Sequence, residues 1–337
     1  MKSVRSVLLR TESLLAMLLI VVIVLMASLS GGKFLGPRSL QSMGFQLPEF
    51  GILALAQMII IITGGINLSI TYSATLSAVI GSVVIAGLNA AHQSPALAIL
   101  AGIVVMFVVG AACGAFNGSI VAYVGVSPIL VTLGSMTLFE GISLQITRGG
   151  AVTGFPVAFL WIGNGTILNI PVPLFLFVIV AAVTYFVLER TSYGMRLYMI
   201  GANPTATVYS GVNVKRILFL LYIYSALLCA LAGVIMTSRY NSAKESYGSS
   251  YLLQSVAASV LGGTDIVGGA GKVLGTVLAV LILQGVSSGL DIVGLNRFIT
   301  NVIMGGILIA VLSVNYLNTS AGSKTRLRRR QTSEVLR

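Results

Sequence analysis

Residues 189–216, ERTSYGMRLYMIGANPTATVYSGVNVKR, separate two long apolar runs. They hold too many polar and charged groups to cross a bilayer, yet they are patterned. Asn203 can cap a helix that has Pro204 at its first position, and Gly211 suits the stop, with Ala206 and Ser210 between them; this predicts about two exposed turns. Arg190, Arg196, Lys215 and Arg216 bracket the segment. By the positive-inside rule it faces the cytoplasm, where it reads as a handle for a soluble partner.

Outward from this island the chain is membrane solvent. Hydrophobic residues make up 56% of it and charged residues 8%, where a soluble domain carries about 25% charged. This predicts an all-α polytopic membrane protein. Each span needs about 20 apolar residues, and walking the sequence gives ten: 12–30, 48–65, 67–88, 96–124, 129–147, 171–188, 215–237, 250–264, 272–290 and 297–317. Six crossings return the island to the side of the basic N-terminal segment, and four more bring the basic tail there. The sequence thus reads as one transmembrane domain over 1–320, with both ends cytoplasmic and a basic tail over 321–337. The second and third spans are separated only by Gly64-Gly65-Ile66-Asn67, and the eighth is short enough to be re-entrant.

The net charge of +12 raises nucleic acid as a partner, but the basic residues flank spans, so the expected partner is the bilayer and no nucleic acid. The first apolar run lacks a small-residue cleavage site and reads as a retained span. Cys113 and Cys229 lie inside apolar runs and offer neither a disulfide framework nor a metal site. His92, the one histidine, has no catalytic companions, and no phosphate-cradling G-x-x-x-x-G-K-[ST] loop occurs. The sequence therefore predicts no catalytic residue, no metal and no cofactor in this chain.

Two Gly-Gly breaks interrupt apolar runs: Gly64-Gly65-Ile66-Asn67-Leu68-Ser69, and residues 262–269 around Asp265. Each follows a glutamine, Gln57 and Gln254. Broken helices are tolerated at membrane depth where protein or a watery cavity satisfies the freed backbone, and transporters aim such breaks at polar solutes; glycines also let helices pack closely. The scarcity of acids inside spans, with only Glu140 and Asp291 near span ends and Asp265 in the second break, argues for an uncharged solute and against ion coupling.

Five segments carry a resemblance: 64–69, 114–118 (GAFNG), 131–136 (VTLGSM), 201–211 (GANPTATVYSG) and 261–271 (LGGTDIVGGAG). Together they resemble the permease subunit of bacterial ABC importers for monosaccharides, a family that also includes autoinducer-2 permeases. The resemblance implies the ABC importer permease fold in the bacterial inner membrane, a second permease copy, a cytoplasmic ATPase that binds ATP and magnesium, and an extracytoplasmic solute-binding protein. It implies that the island couples to the ATPase through Gly201, Asn203, Pro204, Ala206, Ser210 and Gly211. The polar residues of the other segments, Ser69, Asn117, Thr132 and Ser135, join Gln57, Gly64, Gly65, Asn67, Gln254 and Asp265 as candidate lining of the path. The family usually carries Asp where this chain has Asn67, so a charged role there is in doubt. A secondary carrier or a passive facilitator of a neutral solute, and a nucleoside or branched-chain amino-acid permease, are the alternatives.

Overall fold

A computed structural model describes the backbone of residues 2–296, 298–307, 309, 310 and 313, and side chains from residue 12 onward. The basic tail over 321–337 lies outside the described residues. The long helices are α1 (Lys2–Leu29), α2 (Pro37–Ile61), α3 (Ile70–Ala90), α4 (Pro95–Ser119, prolonged by a π turn to Val124) and α5 (Pro128–Thr147). A short α6 (Val157–Asn164) and a two-stranded hairpin, β1 (Thr166–Ile167) and β2 (Ile170–Pro171), lead to α7 (Val172–Arg190). The island forms α8 (Ser192–Ala202) and α9 (Pro204–Tyr209). Then follow α10 (Val214–Tyr240), α11 (Tyr251–Leu261), α12 (Val273–Val293) and a last apolar helix, α13 (Phe298–Ile307).

Among the described residues, eight helices are long and apolar enough to span a membrane, not the ten expected. The predicted eighth span, 250–264, contains only the 11-residue α11, about 16 Å long and half of a hydrocarbon core. Gly262 follows its last turn, where the backbone of Gly275 and Thr276 leaves no space for a side chain. The predicted tenth span is described as a helix only over α13, and its remainder falls mostly outside the described residues. The predicted second span also starts too late: Pro48 lies inside α2, which begins at Pro37. Proline withholds one helical hydrogen bond, but neighbouring protein covers that turn, since Leu47, Pro48 and Glu49 are all buried.

Burial sorts the helices into layers. The apolar window of α2 is 83% buried and that of α1 is 11% buried, so α2 is the central post and α1 a peripheral helix. α4, α5 and α7 also leave most of their apolar surface outward, while α10, α11, α12 and one face of α7 pack against the post and α3 packs between α4, α5 and α10. Lipid tails match leucine in polarity, so helices here are held by close packing and polar contacts rather than by escape from water. Both appear. Ser225 of α10 and Ser259 of α11 donate to the Ala56 and Ala54 carbonyls of α2 at 2.9 and 3.1 Å. Gly110, Gly114 and Gly118 of α4 repeat every four residues along one face and let α10 approach its backbone; a β-carbon at Gly114 would lie 2.6 Å from the Tyr222 carbonyl oxygen.

The breaks and the island lie at one end of the bundle. The α6 segment lies at the other, where the Gly163 amide donates to Ser238 Oγ, and Ser238 Oγ donates to the Phe159 carbonyl, both at 2.7 Å.

Gly114→Val is expected to wedge α4 from α10 and destabilise the fold by about 1–3 kcal/mol, whereas Gly134→Ala on α5, with open space around it, should be neutral or slightly stabilising. Thermal unfolding of both variants in the same detergent checks the contrast; equal midpoints would remove the packing assignment.

Candidate functional site

Three glycine segments distant in sequence meet backbone to backbone. The Gly269 amide donates to the Ile62 carbonyl at 2.8 Å, joining the second break to the end of α2. Gly201, in the last turn of α8, sits over that bond, and a β-carbon there would collide with both the Ile62 oxygen and the Gly269 nitrogen. Gly268, with φ of 99°, faces the Gly64 amide on one side and the Gly201 α-carbon on the other. The island is therefore joined to both breaks without an intervening side chain.

The island is two helices rather than one. In α8, Gly194, Leu197 and Ile200 are buried at helical spacing, and two tyrosines anchor it: Tyr193 donates to the Ile217 carbonyl at 3.2 Å and Tyr198 to the Gly271 carbonyl at 3.0 Å. Burial, with the charge of Glu189 adding to it, pushes the Tyr198 phenol up to about 12, so it stays a neutral donor. In α9, Asn203 Oδ1 accepts the Ala206 amide at 3.0 Å and Pro204 occupies the first turn. Ser210 donates to the Ala206 carbonyl, and Gly211 takes a left-handed conformation after the helix. Thr207 alone of α9 is buried; Val208 and Tyr209 are 57% and 87% exposed.

The first break is a closed knot. Asn67 Oδ1 accepts the Ser69 amide at 2.9 Å and the Ser69 hydroxyl at 2.8 Å, and Asn117 of α4 donates its amide to Ser69 Oγ at 2.8 Å. With its amide oriented to satisfy both groups, Gln57 donates to the Asn67 carbonyl at 2.9 Å and accepts the Asn67 amide at 3.3 Å. Thr132 Oγ1 of α5 accepts the Leu68 amide at 3.0 Å. Gly65 is buried against Pro128, and Gly64 is exposed. Asn67 thus serves as a buried acceptor, which a neutral amide supplies without the cost of a buried charge. In the second break Asp265 Oδ1 accepts the Val267 amide at 3.0 Å, closing its own turn. Ser135 borders a shallow apolar groove beside Phe116 and Leu138.

Of the predicted path residues, Gln254 borders the polar space at the opposite end of the bundle from the island. There a cavity of about 300 Å³ opens between α2, α10, α11, α12 and α13. It adjoins a more apolar cavity of about 250 Å³ through Ser250, Gln254, Leu283, Asn301 and Met304. Gln284 ties its wall together, donating to Gln46 Oε1 at 3.3 Å and Ser288 Oγ at 2.9 Å.

Beside the cavity stands an acid that the sequence pattern passed over. Glu49 of α2 is fully buried and meets Arg239 of α10 at 2.9 Å. Tyr240 donates to its other oxygen at 3.0 Å, and the Arg239 guanidinium lies 4.9 Å from the Tyr240 ring centre. A charge inside a spanning helix is expensive unless paired, so each residue accounts for the other. The expectation that no acid sits well inside a span is corrected here: taking 48 as the start of the span put Glu49 at its edge, and the partner is nearly two hundred positions away.

Residues 40–312 match the family described as "Branched-chain amino acid transport system / permease component". The chain belongs to this permease family. The permease is 36% identical over 294 residues to the ribose import permease protein RbsC of Bacillus subtilis, covering 86% of this chain and 89% of that one. It is 34% identical over 265 residues to the autoinducer 2 import system permease protein LsrD of Photorhabdus temperata, covering 77% of each. With LsrD of Escherichia coli strain SMS-3-5 it shares 33% identity over 336 residues, 96% of this chain and 95% of the other. No solved structure matches the permease.

Asn67→Leu is expected to leave the Ser69 amide and hydroxyl without their acceptor, costing about 1–3 kcal/mol. The check is thermal unfolding of the purified permease; an unchanged midpoint would mean that the knot does not stabilise the break.

Proposed function

We propose that the chain is the membrane-spanning subunit of an ATP-driven ABC importer for a small neutral sugar or sugar-like solute. Similarity over nearly the full length to permeases named for ribose and autoinducer 2 carries this reading. In it the island faces the cytoplasm, α9 docks on a separate ATPase that binds ATP and magnesium, and a solute-binding protein delivers cargo to the far side in the bacterial inner membrane. A second permease copy completes the path.

The junction supports the role of the island. A helix whose exposed residues include Val208 and Tyr209 offers an apolar contact to a soluble partner, and apolar patches on a polar surface mark such contacts. Gly201, Asn203, Pro204, Ala206, Ser210 and Gly211 are then the frame of the docking element, with its outward face carried by Val208 and Tyr209. Closure of the ATPases would push α9, and through Gly201 the push would reach the Ile62 and Gly269 backbones directly. Alternating access follows if the breaks yield while the helices between them move as rods. Gln57, Gly64, Gly65, Asn67, Ser69, Asn117 and Thr132 would act in this scheme as the hinge, and Gln254 as part of the path.

Tyr209→Asp is expected to leave insertion and the thermal midpoint unchanged while lowering recovery of ATPase activity with the purified permease about tenfold or more, as for loss of one interface anchor. Gly201→Ala should instead lower the midpoint itself, because its methyl group has no space. The experiment is purification of tagged permease from native membranes with ATP hydrolysis and partner composition measured on the same samples. Full ATPase recovery with Tyr209→Asp would rule out α9 as the docking element. A wild-type permease that transports solute with no ATPase present would point to a carrier or facilitator.

A further inference from the structure

Five features of the far cavity distinguish it from a packing defect. Its walls are polar: among the described residues, Gln254 and Asn301 border it with no side-chain hydrogen bond inside the chain. Thr300 is 4% exposed, and its hydroxyl has no hydrogen-bond partner. Arg239 meets Glu49 through Nη1 at 2.9 Å and borders the cavity, and its guanidinium carries further N–H donors. Phe50 and Tyr251 stack at 5.8 Å and place aromatic surface on the same wall. The volume of about 300 Å³ lies at the lower end of small-ligand pockets.

A buried polar group without a partner is rare in folded proteins; Thr300 is one, and with half-buried Gln254 and exposed Asn301 on the same wall it calls for a hydrogen-bonding occupant. Water could satisfy some of them. Amide, hydroxyl and guanidinium groups, with the Asp291 carboxylate on the same wall, beside aromatic faces are the complement of a ring bearing several hydroxyl groups, which needs many donors and acceptors on its edge and apolar contact on its faces.

We propose that this cavity is a contact site for a neutral polyhydroxylated solute, and that Glu49 is a positioning residue that holds the Arg239 guanidinium in its wall. The proposal rests on the permease reading for its cargo class. Glu49 neutralises Arg239, so the pair attracts no net charge yet presents fixed N–H donors at the rim; an unpaired arginine would select an anion. Glu49 itself is fully buried and acts through the arginine.

The test uses the whole transporter in its native membrane. Ser287→Cys puts a thiol on the cavity wall, and the native Cys113 and Cys229 are buried, so background labelling is low. A small membrane-impermeant methanethiosulfonate reagent is added with D-ribose, D-galactose or L-leucine. The thiol is expected to label, and at least one sugar, but not leucine, to slow the reaction. Arg239→Gln should raise the half-protecting sugar concentration about tenfold or more, the loss expected for one charge-assisted hydrogen bond. Glu49→Gln should do the same and Arg239→Lys less, because a merely structural pair would move folding and not protection. Gln254→Ala tests the wall without touching the ion pair, should Glu49→Gln fail to fold, and is expected to weaken protection.

An unreactive thiol, protection by leucine alone, protection by no sugar, or protection unchanged in both Arg239→Gln and Gln254→Ala would overturn the proposal. ATP-dependent sugar uptake measured in parallel separates the two readings. Protection without uptake would leave the site and remove the importer; uptake with an unprotected thiol would do the reverse.

Discussion

The bond from the Gly269 amide to the Ile62 carbonyl is the constraint on which the architecture turns. A helix that ends buried in protein must have its last carbonyls satisfied by protein, because no water reaches them. Here α2 is satisfied by a second broken segment, and the glycines at 64, 201 and 268 exist at positions where any side chain would part the chains. Once that bond is made, the rest of the central layer has little freedom. α11 must lie along α2, where Ser259 reaches the Ala54 carbonyl, and α8 must cap the pair, where Tyr198 reaches Gly271.

The knot at Asn67 completes the same logic from the other side. Backbone groups freed by the first break find partners in Gln57, Thr132 and the side chain of Asn67, so the break is held as one hydrogen-bonded unit. Gln57 contacts the Asn67 backbone, Asn117 contacts Ser69, and Thr132 contacts the Ile66 and Leu68 backbone. A charged Asp at 67 could accept the same two hydrogen bonds from Ser69, but it would also bring a charge into a closed site, which the neutral amide avoids.

Much of this was legible in the sequence and the remainder was not, for physical reasons. Apolar runs of about 20 residues identify spanning helices because the bilayer sets their length, so α3, α4, α5, α7, α10 and α12 stood out. The capped α9 was visible because Asn-Pro is a local signal, whereas α8 was hidden by its mixture of apolar and basic residues. The true start of α2 was hidden because Ser39, Gln41, Ser42 and Gln46 make its first turns too polar for a lipid-facing helix. Ser42 is exposed and the others are half-buried, ahead of the fully buried stretch that starts at Leu47, and composition cannot report that division. Glu49 and Arg239 were illegible for the same reason: each is prohibitive alone, and their pairing is a tertiary fact. That the two Gly-Gly breaks meet each other, and meet Gly201, could be found only in space.

α2 joins the two ends of the molecule. Ile62 follows its last turn and belongs to the junction, while Gln46 and Glu49 on the same helix stand at the far cavity. The thirteen positions between Ile62 and Glu49 span roughly 20 Å of continuous helix. Because α2 is buried on every side, with Ser225 and Ser259 donating to its carbonyls, it can shift only together with α10 and α11, which wall the same cavity. In the proposed importer a push on α9 therefore reaches the solute as a rigid displacement of a helix group rather than as a chain of side-chain rearrangements. Such a mechanism places the moving parts in the backbone joints. It leaves the cavity walls free to vary with the cargo, as expected when one fold serves relatives named for different solutes.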